Sequence, residues 1–137
     1  MSPGVSDRQT LAPGADEIEA IARATVARLP GAFARHLGNL LLRVEEFADE
    51  ETLAAFGMED PFQLSGLYEG QPIGLKSVAD SGGGPDVIRL FRRAILDEWV
   101  EGGESLEALV AHITIHEIGH HFGLSDADML ALEAAAG

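Results

Sequence analysis

The chain has 137 residues, about the size of one domain, and its 46% apolar and 23% charged residues are typical of a globular protein. Because it has no cysteine, disulfides, thiolate zinc sites and cysteine nucleophiles are excluded, and histidine and carboxylate side chains remain as the strong metal ligands. A net charge of -14 argues against nucleic acid and anionic membranes as partners, since both attract basic surfaces.

The N-terminal part of the chain divides into a tail and a helix. Residues 1–14 mix Ser, Pro, Gly and Asp without periodicity, so we predict a disordered tail followed by a single domain over residues 15–137. The tail lacks the apolar stretch of a secretory signal, and no transmembrane run follows, which indicates a cytoplasmic protein. An apolar stripe over Ile18–Leu29, with the capping-box pair Asp16 and Glu19 at its start, predicts the first helix.

The middle of the chain carries strand and turn patterns. The mostly apolar run Leu40–Phe47 predicts a strand, and a short helix is expected around Glu51–Phe56. Glycines stand at both ends of the Gly66–Gly70 segment, which indicates a short edge strand. The glycine-rich residues 81–85 predict a hairpin loop before a strand within residues 86–93. Because the first and last of these strands are the more apolar, we expect both nearer the centre of the sheet.

A helix predicted over about Ser105–Phe122 carries the strongest chemical motif. It contains His116-Glu117-Ile118-Gly119-His120, in which two imidazoles four residues apart lie on one helix face and can bind one metal ion. Glu117 is rotated by about 100° from His116, which suits a general base that faces the attacking water without binding the metal. A short terminal helix is expected over Met129–Ala136.

The residues around this motif supply further candidates. Gly123 permits a sharp turn with positive φ that returns the chain toward the metal, and Asp126 then has the spacing of a third ligand. Asp128 competes with Asp126, but the Gly-x-x-Asp spacing favours Asp126. We expect His112 and His121 to pack or to support the ligands. A purely structural interpretation would bury two motif imidazoles, at about 1–3 kcal/mol for each one left unsatisfied.

At these residues the chain resembles the zincins, with the Gly-turn of metzincins and Asp in place of the third His. It resembles most the small bacterial zincin-like metallopeptidases, or minimal zincins, over about residues 16–132. The resemblance rests on four blocks in chain order, namely Leu29-Pro30 with Phe33, Val44-Glu45-Glu46, Leu67-Tyr68-Glu69-Gly70, and Ile88–Leu96 leading to the motif. It implies an α+β domain in which a short mixed sheet packs on the active-site helix and an N-terminal helix.

Motif and resemblance together predict a zinc-dependent metallopeptidase, of the endopeptidase type, that acts on a peptide or protein. Zinc would be held by His116, His120 and Asp126 with water in an open fourth position. Glu117 would take a proton from that water and return it to the leaving amine. Unlike full metzincins, the chain has no distant Met-turn and no second lobe, so a deep specificity pocket is not expected.

Two other functions stay open at this stage. A metal-dependent endoribonuclease of the His-x3-His-x5-His type has nearly the same ligand spacing, although that family lacks a Glu after the first His and an RNA-cleaving enzyme should be more basic. The other alternative is a non-catalytic module in which zinc only stabilises the fold. Structural zinc sites, however, normally have four protein ligands.

An exposed strand edge is the expected substrate site. Extended peptides add to such edges through main-chain hydrogen bonds, and zincins in general use an edge above the active-site helix. We expect this edge to consist of Gly66, Leu67, Tyr68, Glu69 and Gly70, because glycines let a second backbone approach closely. The glycines could instead only shape a hairpin. The Tyr68 hydroxyl could donate to a tetrahedral oxyanion, but a partly buried strand residue is the more common role.

Overall fold

The computed structural model of the protein describes residues 11–34, 37, 40–70 and 86–136. Residues 1–10 of the predicted tail and the predicted hairpin loop at 81–85 lie outside this range. The described elements, in chain order, are α1 (Ala15–Ala27), α2 (Gly31–Ala34), β1 (Leu41–Glu45), α3 (Glu50–Ala55), a 3-10 turn (Pro61–Gln63), β2 (Gly66–Glu69), β3 (Val87–Phe91), α4 (Arg92–Gly102), α5 (Leu106–Phe122) and α6 (Asp126–Ala136).

The three described strands form a small mixed sheet in the order β1-β3-β2. Strand β3 pairs in parallel with β1 and antiparallel with β2. This sheet and the helices around it confirm the predicted α+β class, and among the described strands β2 lies at an edge, as predicted. The expectation that the Leu40–Phe47 strand is central is wrong for the described sheet, because β1 also lies at an edge. The strand packs against α1 and buries Leu42, whereas Leu41 is 43% exposed.

The core lies between one face of the sheet, α1 and α5. Ile88 and Leu90 lie two residues apart in β3, so their side chains share one face of the sheet, are fully buried and point into this core. Ile18 of α1 and Ile115 and Ile118 of α5 meet them from the helical side. Because each such side chain contributes about 1.5–3 kcal/mol when fully buried, this packing holds α5 against the sheet.

Two local features differ from the sequence prediction. Helix α1 begins after Gly14, which makes no side-chain capping bond, and Asp16 lies inside the first turn, so the predicted capping box is wrong. The acidic residue still opposes the positive end of the helix dipole there. Helix α4 was not predicted, because the strand pattern over 86–93 continues into Arg92 without a turn residue. Burial of Ala94 and Ile95 favours helix instead.

Helices α5 and α6 form a hairpin that organises the C-terminal third of the chain. Gly123 ends α5 in the left-handed conformation with φ 71°, and the Leu124 N–H donates to the Gly119 carbonyl at 2.8 Å. A side chain at Gly119 would overlap Met129 of α6, so glycine permits the two helices to pack closely. The terminal helix starts at Asp126, one turn before the predicted start. None of the helices in the described ranges has the length and apolar character needed to cross a membrane.

Candidate active site

Three histidines at four-residue intervals, His112, His116 and His120, lie on one face of α5, called here the donor face. The rings of His112 and His116 are 4.0 Å apart between centroids, whereas those of His116 and His120 are 6.1 Å apart and nearly perpendicular. The two motif histidines therefore occupy one face as predicted. His112 continues that face by one turn.

Helix α6 brings carboxylates to the donor face. Glu133 in the second half of α6 hydrogen-bonds His112 in the first half of α5, so the two helices run antiparallel. A Glu133 carboxylate oxygen also lies 3.7 Å from Nε2 of His116. Within the described residues, donor atoms of His112, His116 and Glu133 all lie within 4.8 Å of one another. Two imidazoles and a carboxylate are a donor set that suits zinc.

The predicted ligand set of His116, His120 and Asp126 is less compact. His120 and Asp126 stand outside the close cluster, although Asp126, the first residue of α6, still acts electrostatically on His116. The competing carboxylate of Asp128 is used otherwise, because Asp128 and Ser125 hydrogen-bond each other's main chain and cap α6.

The sequence prediction missed Glu133. Its signal was the seven-residue spacing from Asp126, which is about two helical turns and places both carboxylates on one face of α6. Met129 lies between them and is 2% exposed, which identifies that face as the one packed on α5. The spacing alone could not show which residues of α5 it would meet.

His116 is the most central member of the donor face. Burial lowers its pKa, and the neighbouring His112 lowers the pKa further, while the carboxylates of Glu133 and Asp126 raise it. The net lowering favours the neutral imidazole, which is the form that binds a metal ion. The surroundings of His116 therefore suit it as a metal ligand.

Glu117 faces β2 instead of α6. The main-chain N–H of Tyr68 lies close enough to the Glu117 carboxylate to favour the ionised form. Burial raises the pKa of Glu117, an effect that the Tyr68 N–H and the nearby His120 partly oppose. A raised pKa moves a carboxylate toward the range in which it can both accept and return a proton near neutral pH. Glu117 is thus held between the donor face and the edge strand.

The backbone of β2 leaves main-chain groups directed away from the sheet. The Phe91 N–H donates to the Ser65 carbonyl, so the antiparallel register makes Leu67 and Glu69 the hydrogen-bonded partners of β3. The main-chain groups of Gly66 and Tyr68 then point outward. A Cβ atom on Gly66 would lie 2.9 Å from Ile113 Cγ2 and 3.4 Å from Glu117 Cγ. Glycine therefore lets this edge lie directly over α5.

Tyr68 anchors the edge strand on the buried side of α5. Its hydroxyl donates to Asp86 Oδ2 at 2.8 Å, and its ring stacks on His121 with centroids 4.0 Å apart. Burial raises the pKa of Tyr68 strongly, and the carboxylate of Asp86 adds to that rise. The phenol thus stays protonated and donates to Asp86. In this position it holds the strand in place and does not face a substrate oxyanion. Gly70 follows at the strand end, where a Cβ atom would overlap Asp86.

The other face of β2 borders a separate cavity of about 540 Å³. Leu67 and Glu69 line it together with Phe56, the residue that follows α3. Arg89 at its base pairs with Glu45 at 2.8 Å and with Asp49 at 2.9 Å. One side of β2 therefore faces α5 and Glu117. The other side faces this carboxylate-rich cavity.

The comparison with known protein families agrees with this geometry. A family model described as zincin-like metallopeptidase matches residues 37–136, which include the whole sheet, α5 and α6. No curated protein matches the chain.

Proposed function

Because the chain belongs to the zincin-like metallopeptidase family, we propose that it is a zinc-dependent peptidase that hydrolyses internal peptide bonds. The observation that carries the proposal is the position of Glu117 between the donor face of α5 and the outward edge of β2. That position is where a general base must lie if substrate binds to the edge and metal to the donor face.

His116, His120 and Asp126 are the residues proposed to hold the metal. The two imidazoles share a helix face, and the Gly123 turn brings Asp126 back to within electrostatic range of His116. Bound zinc would supply Lewis acidity, polarising the scissile carbonyl and acidifying water. Three protein ligands leave a position open to solvent and substrate, which separates a catalytic site from a structural one.

Glu117 is proposed to move the proton. It takes one proton from water as the water oxygen bonds to the scissile carbonyl carbon, and it delivers that proton to the nitrogen as the C–N bond breaks. The Tyr68 N–H fixes the carboxylate during both transfers. Because a hydrogen bond to the ionised form favours that form, this contact keeps Glu117 able to accept the proton.

An extended peptide or protein segment is proposed to bind along Gly66–Gly70. The outward main-chain groups of Gly66 and the outward carbonyl of Tyr68 can bond to its backbone, with alternate substrate side chains directed to the donor face and to the cavity by Phe56. Because an extended peptide paired with a strand edge can continue past both ends of that strand, this binding mode favours an endopeptidase. The proposed location is the cytoplasm, with neither nucleic acid nor membrane as partner.

The test combines metal analysis with digestion of a peptide library. We expect the wild-type protein to bind zinc and to cleave peptides, and Glu117→Gln to keep the zinc while losing about 10²–10⁴-fold in kcat/KM. His116→Asn serves as the matched variant, because it should lose zinc and activity together. Equal cleavage by wild type and Glu117→Gln would show that Glu117 is not the base, and cleavage of RNA instead of peptides would favour the ribonuclease.

The edge assignment needs its own experiment. A substitution of Gly66 by proline would remove the outward N–H but would also place a Cβ atom against Ile113, so its effect could not be assigned to substrate binding. Substrates in which a single amide is replaced by an ester avoid this problem, since they remove one N–H from the peptide. At the residue bonded to Gly66 or Tyr68 we expect up to about a tenfold rise in KM. An equal rise in KM for the ester at every position of the peptide would contradict binding at the strand edge.

A further inference from the structure

We propose that His112, His116 and Glu133 form a second cation-binding position, one helical turn before the motif site and sharing His116 with it. This inference extends the proposed function, since it uses the same helix face. The donors are two imidazoles and one carboxylate that lie within 4.8 Å of one another. Zinc with its ligands at about 2.0–2.2 Å needs donor atoms at this kind of separation, after a small closure of the side chains.

The contacts of Glu133 explain why the cluster is held together. Its carboxylate bonds Nδ1 of His112 and approaches Nε2 of His116 at 3.7 Å, so one group already bridges both imidazoles. The cluster is also accessible, because the His112 side chain is 49% exposed while those of His116 and Glu133 are 27% and 23% exposed. A cation can reach it from solvent without opening the fold.

The two positions exclude each other. In each of them the proposed ligand is the same side chain of His116, and Nε2 is the atom that faces Glu133. A single ion can therefore occupy the motif position or the second position in one molecule. If the ligands specific to the motif position are removed, the ion should therefore bind at the second position and should not be lost from the protein.

Only the motif position can use Glu117. Along the helix, His112 and Glu117 are five residues apart, which is about 7.5 Å of rise and about 140° of rotation. Glu117 is turned toward Tyr68 of β2, whereas Glu133 approaches from α6 on the other side. An ion in the second position would thus be bound without its general base, and metal content would not by itself report an active molecule.

The experiment measures metal binding in three sets of variants, each checked for folding by circular dichroism. Equilibrium dialysis against zinc gives the stoichiometry, and Co²⁺ absorption gives the ligand environment. His120→Asn with Asp126→Asn removes the ligands specific to the motif position. We expect this double variant to bind about one ion per chain, with a Co²⁺ spectrum that differs from the wild type. Addition of Glu133→Gln should then abolish binding.

The matched variant His112→Asn with Glu133→Gln removes the second position and should keep about one ion at the motif. Its failure to bind, while the first double variant binds, would remove the metal site of the proposed peptidase and leave this inference standing. If the folded His120→Asn, Asp126→Asn protein binds neither zinc nor Co²⁺, the second position does not exist, and the His112–Glu133 contact only joins α5 to α6.

Discussion

The two sides of helix α5 differ in how firmly they are held. On the donor face the side chain of His112 is 49% exposed, and its partner Glu133 comes from the last helix of the chain. On the side toward β2 and β3, the side chain of His121 is 5% exposed, stacked on Tyr68 and close to the nearly buried Asp86. The candidate metal donors therefore lie on the open side, and the packed side gives the helix its position.

This difference shows that residues of one type on one helix serve separate purposes. His120 and His121 are neighbours in the sequence, yet a rotation of about 100° sends one to the donor face and the other to the sheet. His112 and His121 were both expected to pack or to support the metal ligands, but the structure places them in different surroundings. His121 packs on Tyr68 of the strand next to Glu117, whereas His112 joins the group of candidate metal donors.

The largest expected effect comes from truncating the packed side. Ile118 is fully buried in the core, so Ile118→Ala should lower the free energy of unfolding by about 2–5 kcal/mol through lost burial and a new cavity. Leu130, on α6, is 62% exposed, and Leu130→Ala should change the free energy of unfolding by at most about 0.5 kcal/mol. Urea denaturation of the zinc-free proteins measures both. Similar losses in the two variants would show that Ile118 is not packed more firmly than an exposed residue.

A smaller effect is expected at the hydrogen bond that anchors β2. Tyr68→Phe removes the hydroxyl that donates to Asp86, a nearly buried carboxylate, and should cost about 1.5–3 kcal/mol. On the donor face, His120→Asn should leave the stability of the zinc-free protein within about 0.5 kcal/mol of the wild type. The same denaturation experiment applies. A donor-face variant that costs more than Tyr68→Phe would reverse the comparison.

The smallest of the three effects tests how closely β2 lies on α5. In Gly66→Ala the new methyl group would stand 2.9 Å from Ile113 and 3.3 Å from Leu90, which should cost about 1–3 kcal/mol. Gly102→Ala is the control, because that helical position is open and should gain about 0.5–1 kcal/mol. Thermal unfolding of both variants shows whether each substitution lowers or raises the stability of the protein. A stabilised Gly66→Ala protein would indicate a looser strand than the structure has.

Much of the architecture follows from local patterns that the sequence displays. The 3–4 residue spacing of apolar residues placed α1 and α5 within a few residues of their observed bounds, and Gly123 ends α5 because only glycine adopts φ 71° without strain. Helix α4 was not predicted, because it begins directly after β3 and no glycine or proline separates the two elements. In that region burial of Ala94 and Ile95 in tertiary contacts decides between strand and helix.

The candidate site divides in the same way. The sequence by itself determined that the two motif histidines share a helix face, because this depends only on the 3.6-residue repeat of one helix. Only the tertiary structure decided that Glu133 meets His112 and that Tyr68 meets Glu117, since these pairs join elements 21 and 49 residues apart. Such contacts depend on how α6 and β2 pack on α5, and side-chain burial, not local spacing, sets that packing.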